Sequence, residues 1–120
     1  MVVYRNEVSH RWARHRLLEQ WRSGAVAKDA VCDASFLLVT AARFHGRPAG
    51  RSCPICESEE LRTVLWIFGD TLGRASNTAR NEEEIAAFAE SGHNVTVHTV
   101  EVCPACRWNH LLMANTATVA

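Results

Sequence analysis

Two short segments of the chain have the apolar, β-branched composition of strands. They are "LRTVLWIF" at residues 61–68 and "VTVHTVEV" at residues 95–102. The first segment follows a pair of cysteines and the second leads into another pair. If the two strands pair antiparallel, the start of the first lies beside the end of the second, and both cysteine pairs meet there. The segment "RWNHLLMA" after the second pair predicts a third strand, although its apolar spacing also fits a helix.

Helical periodicity dominates the N-terminal half. Residues 5–22 contain no Gly or Pro and predict a helix whose core face consists of Trp12, Leu17, Leu18 and Trp21. Asp33 is a good N-cap for a second helix, which Gly46 and Pro48 end. The residues that recur at helical spacing in this second helix are Phe36, Leu37, Thr40, Ala41 and Phe44. The pattern therefore predicts an N-terminal helical hairpin.

A third helix is predicted between the two strands. Asn81, followed three residues later by Glu84, has the spacing of a capping box, and Gly92 ends the segment. The apolar residues that share one face of this helix are Ile85, Phe88 and Ala89.

Four of the five cysteines form two matched C-P-x-C pairs, which are Cys53 with Cys56 and Cys103 with Cys106. In such a turn two thiolates can converge on one ion, and two turns supply the four sulfurs of a closed tetrahedral zinc site. A catalytic zinc keeps one coordination position open, so four thiolates favour a structural ion. We predict one structural Zn²⁺ per chain. The alternative is two unrelated buried or redox-active cysteine pairs.

These patterns together predict an α+β fold. A basic helical N-terminal region at residues 1–51 precedes a zinc-ribbon-like antiparallel β-sheet with a helical insertion at residues 52–120. We expect the two regions to form one compact unit.

Charge is divided unevenly between these regions. Residues 1–51 carry nine Lys/Arg against four Asp/Glu, and residues 52–120 carry four against nine, so the net charges are +5 and −5. This asymmetry predicts either a basic face that binds a partner or docking of the two halves on each other. The predicted partner-binding residues on the first helix are Arg5, Arg11, Arg14 and Arg22. In the docking alternative these arginines are held against Glu57, Glu59, Glu60 and Glu82 to Glu84.

The compartment follows from the apolar pattern and the cysteines. No run approaches 18 apolar residues, and arginines interrupt the N-terminal stretch where a signal peptide needs an apolar segment. We expect a cytoplasmic protein outside the membrane, in which thiols are reduced and available to a metal.

Other residues offer alternative chemistry. Cys32 and His45 have the chemistry of a nucleophile and a base, but nothing in the sequence brings them together, and a buried, inert Cys32 is the simpler interpretation. His110 follows the second pair and can replace a cysteine as a metal ligand. More commonly such a histidine donates a hydrogen bond near the metal, with Trp108 beside it, or packs in the core.

Several segments resemble a known family. "VCDASFLLVTAARFHG", "SCPICESEEL", "VLWIFGDTLGRAS" and "VEVCPACRWNHLL" are similar to segments of an actinobacterial family of small proteins filed as a domain of unknown function. The resemblance covers nearly the whole chain. It implies an actinobacterial cytosolic protein with a zinc-ribbon-like element, and it implies no particular activity.

Three classes of function follow. We favour a non-enzymatic zinc-ribbon adaptor or regulator that binds nucleic acid or a nucleic-acid machine such as RNA polymerase or the ribosome. The second class is a small enzyme or redox switch that uses Cys32 and His45 or the tail from Trp108 to His110. The third is a protein-interaction module without nucleic-acid contact, which the neutral net charge of the whole chain favours.

Overall fold

The computed structural model describes residues 1–120 and contains helices on both faces of one antiparallel sheet. The elements in chain order are β1 (Val2–Ser9), α1 (Arg11–Arg22), α2 (Lys28–Val31), α3 (Phe36–His45), β2 (Arg47–Pro48), β3 (Arg62–Phe68), β4 (Thr78–Ala79), α4 (Glu82–Glu90), β5 (Val95–Val102) and β6 (Asn109–Val119). This composition of helices and antiparallel strands confirms the predicted α+β class.

The sheet is built around the pairing of β3 with β5. Its strand order is β1-β6-β5-β3-β2, and β4 pairs with the C-terminal half of β3. Arg62 at the start of β3 lies opposite Val102 at the end of β5, and Phe68 lies opposite Thr96. The two predicted strands therefore pair antiparallel as expected. The third predicted strand is also confirmed, because β6 pairs with β5 from Asn109 onwards.

The helix inserted between β3 and β5 has the predicted cap. The side chain of Asn81 accepts a hydrogen bond from the Glu84 backbone N–H at 2.8 Å, and the Glu84 carboxylate accepts one from the Asn81 N–H at 3.1 Å. Ile85 and Ala89 are buried against one face of the sheet, and Phe88 packs at the edge of the same cluster. The capping box and the apolar face are both confirmed.

The helix predicted over residues 5–22 is wrong at its N-terminal end. Val2–Ser9 forms β1, which pairs antiparallel with β6, and the helix begins at Arg11. Strand pairing prevails because β6 would otherwise present unpaired backbone groups at the edge of the sheet, and because β1 contains valine and tyrosine, which favour strands. Asn6, with a φ of 57°, interrupts the ladder between Arg5 and Val8. Arg5 therefore lies on a strand and not on the helix.

The two N-terminal helices contribute to separate core clusters. Leu18 of α1 is buried beside the cysteines, with Leu17 and Trp21 packed against that cluster, whereas α3 packs on β3 and β5. They do not share one apolar core as a simple hairpin would. Trp12, which the pattern placed in the core, is 72% exposed. Only one turn of the predicted face of α1, around Leu17, Leu18 and Trp21, meets the interior.

The core face of α3 also differs from the prediction. Its N-cap is Ser35, whose hydroxyl accepts a hydrogen bond from the Leu38 N–H at 3.1 Å, and not Asp33. The residues that pack on the sheet are Leu38, Val39, Ala41 and Ala42. The two alanines have short side chains, which permit close approach of the helix to the strands. Phe36, Leu37 and Phe44 are 85%, 63% and 78% exposed, so only Ala41 of the predicted face is buried.

A buried ion pair joins α1 to the sheet. Glu101 on β5 has no exposed surface, and its carboxylate accepts hydrogen bonds from Arg14 Nε at 2.6 Å and Arg14 Nη2 at 3.0 Å. Arg51 Nη2 approaches the same carboxylate at 3.4 Å. Two guanidinium groups therefore compensate one buried negative charge, and the paired geometry fixes the position of α1.

Replacing Arg14 tests this ion pair. Arg14→Met removes both short hydrogen bonds and leaves the buried Glu101 with Arg51 alone, so the free energy of unfolding should fall by about 3 kcal/mol. Arg16→Met on the same helix is the matched control, because Arg16 is exposed and forms no ion pair. Its effect should stay within about 0.5 kcal/mol. Urea denaturation of both variants provides the measurement, and equal midpoints would contradict the structural role of Arg14.

Candidate metal centre

The two C-P-x-C segments form nearly identical turns. In the first, the Cys53 N–H donates to the Ser58 carbonyl at 2.8 Å and the Glu57 N–H donates to the Cys53 carbonyl at 3.0 Å. In the second, the Cys103 N–H donates to the Trp108 carbonyl at 2.8 Å and the Arg107 N–H donates to the Cys103 carbonyl at 2.8 Å. The equivalence in hydrogen bonding shows that both turns present their thiols in the same way.

Each turn depends on one residue in the left-handed region. Glu57 has a φ of 65° and Arg107 a φ of 72°, and each directly follows the second cysteine of its pair. This conformation is uncommon for residues with a side chain. Glutamate and arginine give no sequence signal for it, so the closing residue of each turn was not predictable from residue type.

The turns bring four sulfur atoms together. Cys53 Sγ lies 3.7 Å from Cys106 Sγ, Cys56 Sγ lies 3.6 Å from Cys103 Sγ, and all four sulfurs lie within 4.8 Å of one another. A tetrahedral ion with metal–sulfur bonds of about 2.3 Å requires sulfur–sulfur edges of about 3.8 Å. All of the cysteines are free thiols. The donor set and its spacing therefore fit one tetrahedral metal ion, and this cluster could hold one.

The sulfur cluster is embedded in an apolar core. Cys53 and Cys103 are buried, and they pack with Leu18, Val31, Leu61 and Trp108. Cys56 and Cys106 are partly exposed. Each turn therefore has one inner thiol and one outer thiol, and the surrounding apolar side chains limit access of water to the inner pair.

Burial changes the proton affinity of these thiols. It raises the pKa of Cys53 and Cys103 to about 11 and that of Cys106 to about 12. At Cys56 burial acts in the same direction, but a backbone hydrogen bond from Ser58 and contacts with the neighbouring thiols outweigh it and lower the pKa. In the metal-free protein at neutral pH, three of the four thiols therefore carry protons that a metal must displace.

Cys32 lies beside the cluster, which the sequence did not indicate. It caps the C-terminal end of α2, is partly buried, and its Sγ lies 3.6 Å from Cys106 Sγ. His45 lies elsewhere, at the end of α3 in a cleft lined also by Tyr4, Arg47 and Arg80. The structure thus places Cys32 with the other cysteines and does not bring it to His45.

The tail after the second turn supports the cluster by packing. Trp108 is fully buried beside Cys53 and Cys103, and its indole N–H has no hydrogen-bond partner. The His110 ring stacks on Trp108 with ring centroids 5.9 Å apart, and His110 Nδ1 lies 2.6 Å from the Leu111 carbonyl oxygen. His110 is not among the side chains that converge on the metal position.

The four arginines predicted to bind a partner have different environments. Arg14 is occupied by Glu101. Arg5, Arg11 and Arg22 are exposed and form no ion pair. The acidic residues proposed as their docking partners do not contact them; Glu82 pairs with Arg47 and Glu84 with Arg80. Three of the four arginines are therefore accessible to a partner.

The fold and the cluster define an α+β protein with a four-cysteine candidate metal centre, and comparison with known proteins identifies its family. The model of the family described as "Family of unknown function (DUF5318)" matches residues 1–118. The chain belongs to this family, which confirms the resemblance seen in the sequence.

Mycobacterial relatives agree with this assignment. The chain is 46% identical over 99 residues to the uncharacterized protein Rv0049 of Mycobacterium tuberculosis and to the uncharacterized protein Mb0050 of Mycobacterium bovis, and each alignment covers 82% of this chain and 72% of the relative. No solved structure matches the fold significantly. None of the helices has the length and apolar character needed to span a membrane.

The raised thiol pKa values predict that metal binding depends steeply on pH. Because at least three thiol protons leave when a metal binds, the apparent affinity should fall by about 1000-fold for each unit by which pH decreases near neutrality. Competition with a chelator of known proton affinity, repeated between about pH 6 and 8, measures this slope. Proton release in weakly buffered solution is an independent check, and a pH-independent affinity would contradict binding through these thiols.

Proposed function

We propose that Cys53, Cys56, Cys103 and Cys106 bind one structural zinc ion. The observation that carries this proposal is the convergence of four thiols at the spacing of a tetrahedral site. Tetrahedral sulfur sites suit zinc or iron–sulfur chemistry, and four thiolates on zinc leave no open position for substrate. The ion would therefore stabilise the fold by joining the turn before β3 to the turn between β5 and β6.

The proposed zinc ion would also stabilise the packing of the N-terminal helices. Leu18 of α1 and Val31 at the end of α2 pack in the same cluster as Cys53 and Cys103. Structural zinc contributes about 10 kcal/mol or more of apparent binding free energy in small peptides, which is comparable to the whole stability of a domain. Loss of the ion should therefore loosen the N-terminal helices as well as the sheet.

Metal analysis tests the zinc proposal. Protein purified without added metal should contain one equivalent of zinc, and Cys56→Ser should lose it because Cys56 supplies one of the four sulfurs. Cys32→Ser is the matched control, since Cys32 lies beside the cluster and is not part of the converging set. Its zinc content should be unchanged. Iron with visible absorption, or a wild-type protein with far less than one equivalent of any metal, would overturn the assignment.

We further propose that the protein is a non-enzymatic adaptor that contacts nucleic acid, or a nucleic-acid machine, through α1. Arg11 and Arg22 are exposed on this helix, eleven residues apart and so on nearly the same side of it. Trp12 is 72% exposed beside Arg11, and its ring stacks on His15 with centroids 5.8 Å apart. Arginine with an exposed aromatic ring is a combination that binds phosphates and stacks on bases.

Salt dependence tests direct nucleic-acid binding. If Arg5, Arg11 and Arg22 each neutralise one phosphate of duplex DNA, the log–log slope of affinity against salt should be about −3, and the double variant Arg11→Glu/Arg22→Glu should reduce it to about −1. Arg74→Glu is the control, because Arg74 is exposed in the loop that follows β3, at the end of the sheet opposite the cysteines. Fluorescence titration at several salt concentrations provides the measurement.

One observation favours the alternative of a protein partner. Phe36, Leu37 and Phe44 expose large apolar surfaces on one helix, and an apolar surface of this kind is more typical of a protein contact than of a phosphate contact. If neither duplex nor single-stranded nucleic acid binds at low salt, direct binding through α1 is wrong and a protein partner becomes the better explanation.

A further inference from the structure

Cys32 is a fifth thiol in contact with the four-cysteine cluster. Its Sγ lies 3.6 Å from Cys106 Sγ, with the Cys32 thiol placed to donate a hydrogen bond to Cys106. This distance equals the 3.6 Å that separates Cys56 from Cys103 within the cluster. Cys32 therefore approaches one member of the cluster as closely as the members approach each other.

The segment that carries Cys32 is fixed to the turn that carries Cys106. The Ala34 N–H donates to the Arg107 carbonyl at 3.0 Å, and Arg107 Nε donates back to the Ala34 carbonyl at 2.7 Å. Asn109 Nδ2 also donates to the Asp33 carboxylate at 2.9 Å. These three hydrogen bonds join the residues that follow Cys32 to the residues that follow Cys106, and they hold the two sulfurs in contact.

Cys32 and Cys106 also differ from the two inner cysteines in the exposure of the residue. Cys32 and Cys106 are partly exposed, whereas Cys53 is 1% and Cys103 0% exposed. A small oxidant in solution can therefore reach Cys106, and the thiol nearest to it outside the metal-binding set is Cys32. Redox-sensitive cysteines are typically accessible and adjacent to a second thiol that resolves the oxidised form.

We propose that Cys32 and Cys106 form a peroxide-sensitive pair in which Cys32 is the resolving thiol. In the first step the sulfur of Cys106, which is a thiol in the metal-free protein and would be a thiolate with the proposed metal bound, attacks a peroxide and the O–O bond breaks. Cys106 becomes a sulfenic acid, and the departing oxygen leaves as water from the thiol or as hydroxide from the thiolate. In the second step the Cys32 sulfur attacks the Cys106 sulfur, the S–O bond breaks, and a disulfide and one water molecule form. Two electrons pass from the two sulfurs to the peroxide.

Formation of this disulfide removes one of the four metal ligands. The remaining set has three thiolates and an open position, and the closed tetrahedral site is lost. Release of the ion rests on the proposed zinc function, but disulfide formation between Cys32 and Cys106 does not. Cys32 is suited to this step because it is not used by the metal, whereas every other thiol near Cys106 is a ligand.

The test treats the metal-loaded full chain with hydrogen peroxide. A chromogenic chelator follows metal release, and mass spectrometry of non-reduced peptides maps the disulfide. We expect a Cys32–Cys106 disulfide that forms in step with release of one zinc ion and is reversed by a dithiol reductant. Cys32→Ser and Cys32→Ala should keep their zinc but release it at least about tenfold more slowly, because the intramolecular thiol is absent. Their Cys106 sulfenic acid should be trapped by dimedone.

Other outcomes separate this proposal from the zinc assignment. Disulfides confined to Cys53–Cys106 or Cys56–Cys103 would overturn the proposal that Cys32 is the resolving thiol. Release of zinc from the Cys32 variants at the wild-type rate would overturn it as well. If the untreated protein contains no zinc, the structural-zinc proposal fails. Disulfide mapping of the metal-free chain after oxidation still shows whether Cys32 and Cys106 form the proposed disulfide. Two variants are used so that a folding defect in one, detected by circular dichroism, does not remove the comparison.

Discussion

The antiparallel pairing of β3 with β5 is the constraint on which the other features depend. With Arg62 opposite Val102, the turn that precedes β3 and the turn that follows β5 lie at the same end of the sheet. The backbone hydrogen bonds of this ladder thus bring together sulfurs separated by some fifty residues of sequence. A shift of register by one residue would also reverse the faces of the strands and expose their buried side chains.

The N-terminal helices α1 and α2 are held in place by contacts at the cysteine end of the sheet. The sulfur cluster packs against Leu18 and Val31. Two residues before Cys103, the buried carboxylate of Glu101 accepts two hydrogen bonds from the guanidinium group of Arg14. Apolar packing of Leu18 and the ion pair of Arg14 with Glu101 therefore both hold α1 at the cysteine end of the sheet. This arrangement also explains why Trp12 is exposed, since α1 is held to the rest of the protein by Arg14 and Leu18, which lie further along the helix.

The sequence by itself determined those features that rest on local chemistry or on simple strand geometry. The capping box of Asn81 and Glu84 is local, because its two hydrogen bonds connect residues three apart. The β3 and β5 strands were predictable from their β-branched composition, and antiparallel pairing then required the two C-P-x-C turns to meet. The four converging cysteines followed from these two facts alone.

Only the tertiary structure decided the features that depend on competition between distant segments. Residues 2–9 form a strand because the edge of β6 offers backbone partners. Their valines and tyrosine favour a strand, but the local pattern from residue 5 onwards also fits a helix, so the pairing decides between the two. The face of α3 that packs on the sheet is the one with the small residues Ala41 and Ala42, and not the one with the largest side chains of the helix. Cys32 reaches Cys106 because hydrogen bonds to Arg107 and Asn109 fix its segment there. Such contacts connect residues more than 70 positions apart, and sequence periodicity describes only near neighbours.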